Sequence, residues 1–148
     1  MVEWGVIGTG SISKAFCDSI RYSKTGRLSA VASRSKKNLK LFSEKHQANT
    51  YDSYEALFED DSVDAIYIGT PHNSHFELSL KALRNGKHVL CEKPMTMNST
   101  EAMILLNEAR LKKLFFMEAF MYRCHPLTHK MLELVKKEFI NQEVLIES

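Results

Sequence analysis

A chain of 148 residues, 44% hydrophobic and 26% charged, is long enough for one domain with a substantial core. A net charge of +2 argues against a nucleic-acid partner, and apolar runs too short to span a bilayer argue against a membrane one. Three cysteines at unrelated spacings suit reduced thiols better than disulfides or a zinc knuckle, and the absence of a secretory pattern at Met1-Val2-Glu3-Trp4 makes the cytoplasm the expected location.

The first β-type run, Trp4–Gly8, passes straight into Gly8-Thr9-Gly10-Ser11-Ile12-Ser13 and a helical pattern over Ile12–Tyr22. A glycine at position 8 permits a tight turn, and one at 10 lets the backbone approach a diphosphate held at the helix N-terminus. Ser13 stands where a third glycine is usual, and that position needs only a small residue. Gly8, Thr9, Gly10, Ser11 and Ile12 are therefore candidate cofactor contacts. A ligand-free turn or an S-adenosylmethionine-binding domain could use similar glycines. Placement in the first strand–helix unit favours a dinucleotide, and the lack of GK[ST] excludes a P-loop.

The second run, Leu28–Ala32, ends in Ser33-Arg34-Ser35-Lys36-Lys37 with no carboxylate for a ribose. Hydroxyls at Ser33 and Ser35 and the guanidinium of Arg34 suit a 2′-phosphate, so NADP is expected over NAD. Lys36 and Lys37 read as a solvated helix start. A helix over Lys36–His46, a weak strand near Asn49–Tyr51 and a short helix at Tyr54–Phe58 follow, with Tyr54 and Phe58 read as core.

Val63–Ile68 reads as a buried strand, and Gly69-Thr70-Pro71-His72-Asn73-Ser74-His75 follows it. His72 and His75 form an HxxH pattern without a further ligand set, so a metal is not expected. Ser74 and Glu77 form a capping box for a helix over His75–Asn85, and Asn85-Gly86 stops that helix. The strand His88–Cys91 runs into Glu92-Lys93-Pro94, an acid, a base and a proline at a core's edge, where the proline could be cis. Asn98 with Glu101 starts a helix over Thr100–Leu111, Phe115–Glu118 reads as a sixth strand, and a helix is expected over about Leu127–Phe139. Strands alternating with helices, most of them apolar on successive residues, define a doubly wound parallel α/β sheet.

Gly8-Thr9-Gly10, the Thr70-Pro71 segment with His75, and Glu92-Lys93-Pro94 together resemble the Gfo/Idh/MocA oxidoreductase family over the whole chain. Met117-Glu118-Ala119-Phe120-Met121-Tyr122-Arg123-Cys124-His125-Pro126 looks most like its dihydrodiol dehydrogenase branch. The resemblance implies a Rossmann-type sheet in which Lys93 lies beside the nicotinamide and the reacting oxygen, as the catalytic cation. It implies that Glu92 bonds the nicotinamide ribose and that Thr70, Pro71, His72, His75 and Arg123 lie near the cofactor, with His125 equally suited to hinge or packing. Cys91 reads as a small buried hydrophobe.

By the same resemblance, residues 1–122 form the dinucleotide-binding domain, and 123–148 form a connecting helix and the first strand, near Glu143–Ile146, of a truncated second α/β domain. That domain would supply the acid/base partner, the pocket for a sugar, cyclitol or diol, and the contact of a homo-oligomer. The function expected is NADP(H)-dependent hydride transfer at a hydroxyl or carbonyl carbon, with a redox-sensing binding module as the alternative.

Overall fold

The computed structural model describes residues 1–139. The expected strand at Glu143–Ile146 lies outside them. Six parallel strands form one sheet: β1 (Val2–Ile7), β2 (Gly26–Ala32), β3 (Asn49–Tyr51), β4 (Ala65–Ile68), β5 (His88–Cys91) and β6 (Phe116–Glu118). Their order is β3-β2-β1-β4-β5-β6, so the chain reverses direction across the sheet between β1 and β4. The helices are α1 (Ser11–Ile20), α2 (Lys36–His46), α3 (Tyr54–Phe58), α4 (His75–Arg84), α5 (Ser99–Lys112) and α6 (Pro126–Phe139). None of the described helices is long and apolar enough to cross a membrane.

Successive side chains of a strand point to opposite faces, and here both faces are covered. Ile7, Ala30, Ala32, Ile66, Ile68, Val89 and Cys91 pack with Leu57, Leu78, Leu83 and Leu105 from α3, α4 and α5. Their neighbours Val6, Val31 and Tyr67 turn the other way, onto Cys17 of α1 and Leu39 and Phe42 of α2. This explains the unbroken apolar run of β4, all four of whose residues are buried.

The helix starts follow local chemistry with one correction. The side chains of Ser35, Ser53 and Asn98 accept from the backbone N–H groups of Asn38, Ala56 and Glu101. The capping box expected at Ser74 is absent. A single 3-10 turn over His72–Ser74 precedes α4, and within it the Ser74 hydroxyl bonds Thr70 Oγ1 at 2.8 Å and the Pro71 carbonyl at 2.7 Å. Gly86 follows α4 with φ +77°, as the Asn85-Gly86 pair suggested.

Candidate active site

The carboxyl ends of β1 and β4 meet where the strand order reverses, and two glycines allow it. Gly8 has φ +96°, and a Cβ there would lie 2.8 Å from the Gly69 carbonyl oxygen. A Cβ on Gly69 would lie 2.2 Å from Ser13 Oγ. Ser13 is fully buried and its hydroxyl donates to Gly69 O at 3.3 Å, so a serine at the fingerprint's third position joins α1 to the end of β4. The small residue this crossing needs is Gly69, from the opposite strand.

Gly10 differs in kind. It is the N-cap of α1 with φ −75° and ψ 179°, and a Cβ on it would meet nothing closer than Gly69 O at 3.9 Å. Nothing among the described residues calls for glycine there. The first turn of α1 carries no acidic residue and no side chain caps it, so its N–H groups and dipole are directed at the space above Gly10. A bare approach to an uncapped ten-residue helix fits an anionic diphosphate.

At the end of β2, Ser33 is buried and its hydroxyl lies 3.0 Å from Thr9 Oγ1 while accepting from Ser35 N at 3.2 Å. Ser35 caps α2 but keeps its own O–H to donate. Arg34 is exposed, with its guanidinium carbon 5.9 Å from the centre of the Tyr54 ring. The hydroxyls of Thr9 and Ser33 therefore join the glycine turn to the end of β2, where Arg34 follows in sequence, while Tyr54 packs against the core as expected.

A cleft of about 710 Å³ is lined by Ile12, Thr70, His72, His75, Glu92, Lys93 and the segment Ala119–Tyr122. Glu92 is buried at the tip of β5. Its Oε1 accepts from the Tyr67 hydroxyl at 2.7 Å, and its Oε2 accepts from Lys93 N at 3.3 Å. Burial, then the bond to Glu92, push the Tyr67 phenol well above its ordinary range, so it stays protonated and donates. Lys93 is exposed, follows Glu92 directly, is joined to Pro94 by a cis peptide and takes part in no ion pair among the described residues. Glu92 is thus held by the protein while Lys93 is left to solvent or a ligand.

His75 is 1% exposed, and its Nδ1 and Nε2 each lie 2.8 Å from a carbonyl oxygen, of Pro94 and of Thr70. A neutral ring donates to one of them and a doubly protonated ring to both. Either way no ring nitrogen is left for a ligand, so His75 lines the cleft with carbon while its polar atoms hold the walls. Pro71 and Arg123 are exposed and do not line the cleft; Arg123 lies in the 3-10 turn Met121–Cys124, and Tyr122 beside it does line it. His125 Nδ1 accepts from Leu127 N at the start of α6, a capping contact. No group of three or more His, Cys, Asp or Glu side chains suited to a metal occurs among the described residues.

Sequence reasoning missed Tyr67, whose place inside an apolar strand reads as core. It also singled out none of Phe120, Met121 and Tyr122 as site residues, although Met121 and Tyr122 are exposed large side chains of the kind that mark a contact surface.

A parallel sheet that reverses at β1/β4, with a glycine turn and an uncapped helix at that point, defines a dinucleotide-binding domain of the doubly wound class. The chain belongs to the GFO_IDH_MocA family, described as an oxidoreductase family with an NAD-binding Rossmann fold, whose model matches residues 2–120. Among curated relatives, a D-xylose 1-dehydrogenase (NADP(+)) of Hypocrea jecorina is 37% identical over 147 residues, covering 90% of this chain and 38% of the relative. A trans-1,2-dihydrobenzene-1,2-diol dehydrogenase of Xenopus laevis is 36% identical over 149 residues, covering 99% and 45%. A 3-ketoreductase from Actinomadura kijaniata, solved in complex with NADP, superposes with a TM-score of 0.86 at 34% identity, covering 94% of this chain and 45% of that one. The chain therefore spans less than half the length of these relatives.

Proposed function

We propose that this chain is the cofactor-binding half of an NADP(H)-dependent oxidoreductase that interconverts a hydroxyl and a carbonyl on a sugar, cyclitol or vicinal diol. The observation that carries the reading is the pair at the tip of β5: Glu92 buried and held by Tyr67, and Lys93, in no ion pair among the described residues, at the rim of the cleft beyond the glycine turn. The relatives, two of them dehydrogenases of a sugar and of a diol and one a ketoreductase, support the substrate class.

When bound, the nicotinamide supplies or accepts the hydride. The chain's own residues do the rest. The amide N–H groups at the start of α1 would hold the diphosphate, and the Glu92 carboxylate would accept from a ribose hydroxyl. Lys93 would place an ammonium against the reacting oxygen, where it stabilises the negative charge that develops as a carbonyl is reduced and helps poise the proton donor. Arg34 with Ser33 and Ser35 would take a 2′-phosphate, a preference in keeping with NADP in the names of two of these relatives. Residues 123–148 would lead into a second domain that completes the substrate pocket and brings the acid/base partner. We read the full-length protein as a cytoplasmic homo-oligomer, on the thiol composition and the family resemblance.

Titration of the chain with NADPH and NADH, followed by nicotinamide emission and anisotropy, tests the reading. NADPH should bind at least about tenfold more tightly, because a charge-assisted phosphate–guanidinium contact is present in one complex and absent in the other. Binding of neither would overturn it. In the full-length protein, Lys93→Ala should lower turnover by about 10²–10⁴-fold; an unchanged response would point to a redox-sensing module. One wall of a site holds reactants poorly, so the 148-residue chain should bind cofactor with little turnover.

A further inference from the structure

The turn that carries Lys93 is gripped at a single peptide group. The carbonyl oxygen of Pro94 lies 2.8 Å from His75 Nδ1, and the N–H of Met95 donates to Glu118 Oε1 at 2.9 Å. These two atoms belong to the same peptide plane, so one side chain from α4 and one from β6 hold it at opposite ends. Neither holder is free to follow it. His75 is buried, with Nε2 facing the Thr70 carbonyl oxygen at 2.8 Å, and Glu118 ends a strand whose next residue, Ala119, donates its N–H to Cys91 O at 2.8 Å. On the near side of Lys93, Glu92 is fixed by Tyr67 and accepts from Lys93 N. Lys93 is thus an exposed side chain on a backbone restrained on both sides.

We propose that His75, carrying a proton on Nδ1, and Glu118 are positioning residues that clamp the Pro94–Met95 peptide between a donor and an acceptor and thereby hold the Lys93 ammonium in the cleft. The proposal rests on the reading that Lys93 serves the reacting oxygen. It assigns to His75 a task other than cofactor binding, and to Glu118, on the opposite side of the turn, a task that neither composition nor motif spacing indicates. With the peptide free to rotate, the main chain around Lys93 gains a degree of freedom, and a long side chain at that point sweeps a wide arc.

The test uses the 148-residue chain labelled with ¹³C-lysine and ¹⁵N, the Lys93 Cε signal being assigned by its loss in Lys93→Arg. In the ligand-free chain, His75→Leu and Glu118→Ala should each speed hydrogen exchange of the Met95 amide by about tenfold or more and move the Lys93 Cε signal toward those of freely exposed lysines. Glu118→Gln keeps an acceptor oxygen at the same place and should leave both readouts within about twofold of the parent. Glu118 is only half-buried, so its two variants keep the test decisive if His75→Leu does not fold. A residue that merely supports the fold would lower the melting temperature and leave the Lys93 signal in place, and that result in Glu118→Ala would overturn the proposal; so would equal behaviour of the alanine and glutamine variants. NADPH titration of the parent is read separately: no binding there refutes the proposed function, while the ligand-free signals still decide the clamp.

Discussion

The two glycines of the turn are required for different reasons, and replacing each by alanine separates them. At position 8 the backbone has φ +96°, which costs an L-residue about 1–2 kcal/mol, and the new methyl would lie 2.8 Å from a backbone oxygen that cannot swing aside. Adding about 1–2 kcal/mol for that overlap gives a loss of about 2–4 kcal/mol for Gly8→Ala, or about 6–12 °C in melting temperature for a chain of this size. At position 10 the backbone, at φ −75°, suits alanine, and the nearest atom to its methyl is 3.9 Å away. Restricting the unfolded chain gains about 0.4–1 kcal/mol, and losing glycine at an N-cap costs about as much, so Gly10→Ala should leave stability within about 1 kcal/mol of the parent. Its effect should fall on binding, because the methyl occupies the approach to the uncapped N–H groups of α1; the dissociation constant for NADPH should rise about tenfold or more, or about 1.4 kcal/mol. Thermal denaturation and NADPH titration of both variants provide the assay. A Gly10→Ala chain that loses several kcal/mol of stability, or binds NADPH as the parent does, would refute this division of labour.

Three further outcomes are expected. Tyr67→Phe keeps the ring but leaves a buried Glu92 oxygen without its donor, so stability should fall by about 1.5–3 kcal/mol; the loss should vanish in a Glu92→Ala background, and an equal loss in both would mean that the bond contributes nothing. Arg34→Asp should shift the NADPH-to-NADH preference toward NADH by tenfold or more in the same titrations, and an unchanged ratio would remove Arg34 from phosphate recognition. Burial raises the Cys17 and Cys91 thiols from 9.0 to about 12, whereas Cys124 is exposed, so at pH 8 Ellman's reagent should modify one thiol in the folded chain and three in denaturant. The raised values also mean that the unfolded chain releases these protons first, so stability should decline as pH rises from about 9 toward 12; a flat profile there would count against the burial of both.

The sheet was legible because burial on both faces leaves unbroken apolar runs, and Val6-Ile7, Val31-Ala32 and Ile66-Tyr67-Ile68 each divide between two helical layers. The glycine turn was legible as a turn because it follows an apolar strand directly, and Glu92 and Lys93 stood out as charges ending another such strand, while the roles expected of Glu92 and Lys93 came from the family resemblance. What escaped was contact across sequence distance. Tyr67 looks like any buried strand residue until its hydroxyl is seen to meet an acid 25 residues away. Ser74 has the spacing of a cap, but Thr70 and Pro71 compete for its hydroxyl. The family resemblance placed His75 near the cofactor, and neither it nor the HxxH spacing reveals that two carbonyl oxygens face the ring nitrogens.

The aromatic rings behind Glu92 form a short ladder with an optical end. Trp4, the sole tryptophan, stands edge-on to Phe16 with ring centres 5.4 Å apart, and Phe16 lies parallel to Tyr67 at 4.0 Å. Tyr67 in turn bonds Glu92. That bond is the tether of the Tyr67 hydroxyl, and without it the ring stacked on Phe16 would be held by packing alone. The emission of the Trp4 indole at the far end, compared between the parent and Tyr67→Phe, should read how firmly that stack is held, with no attached dye.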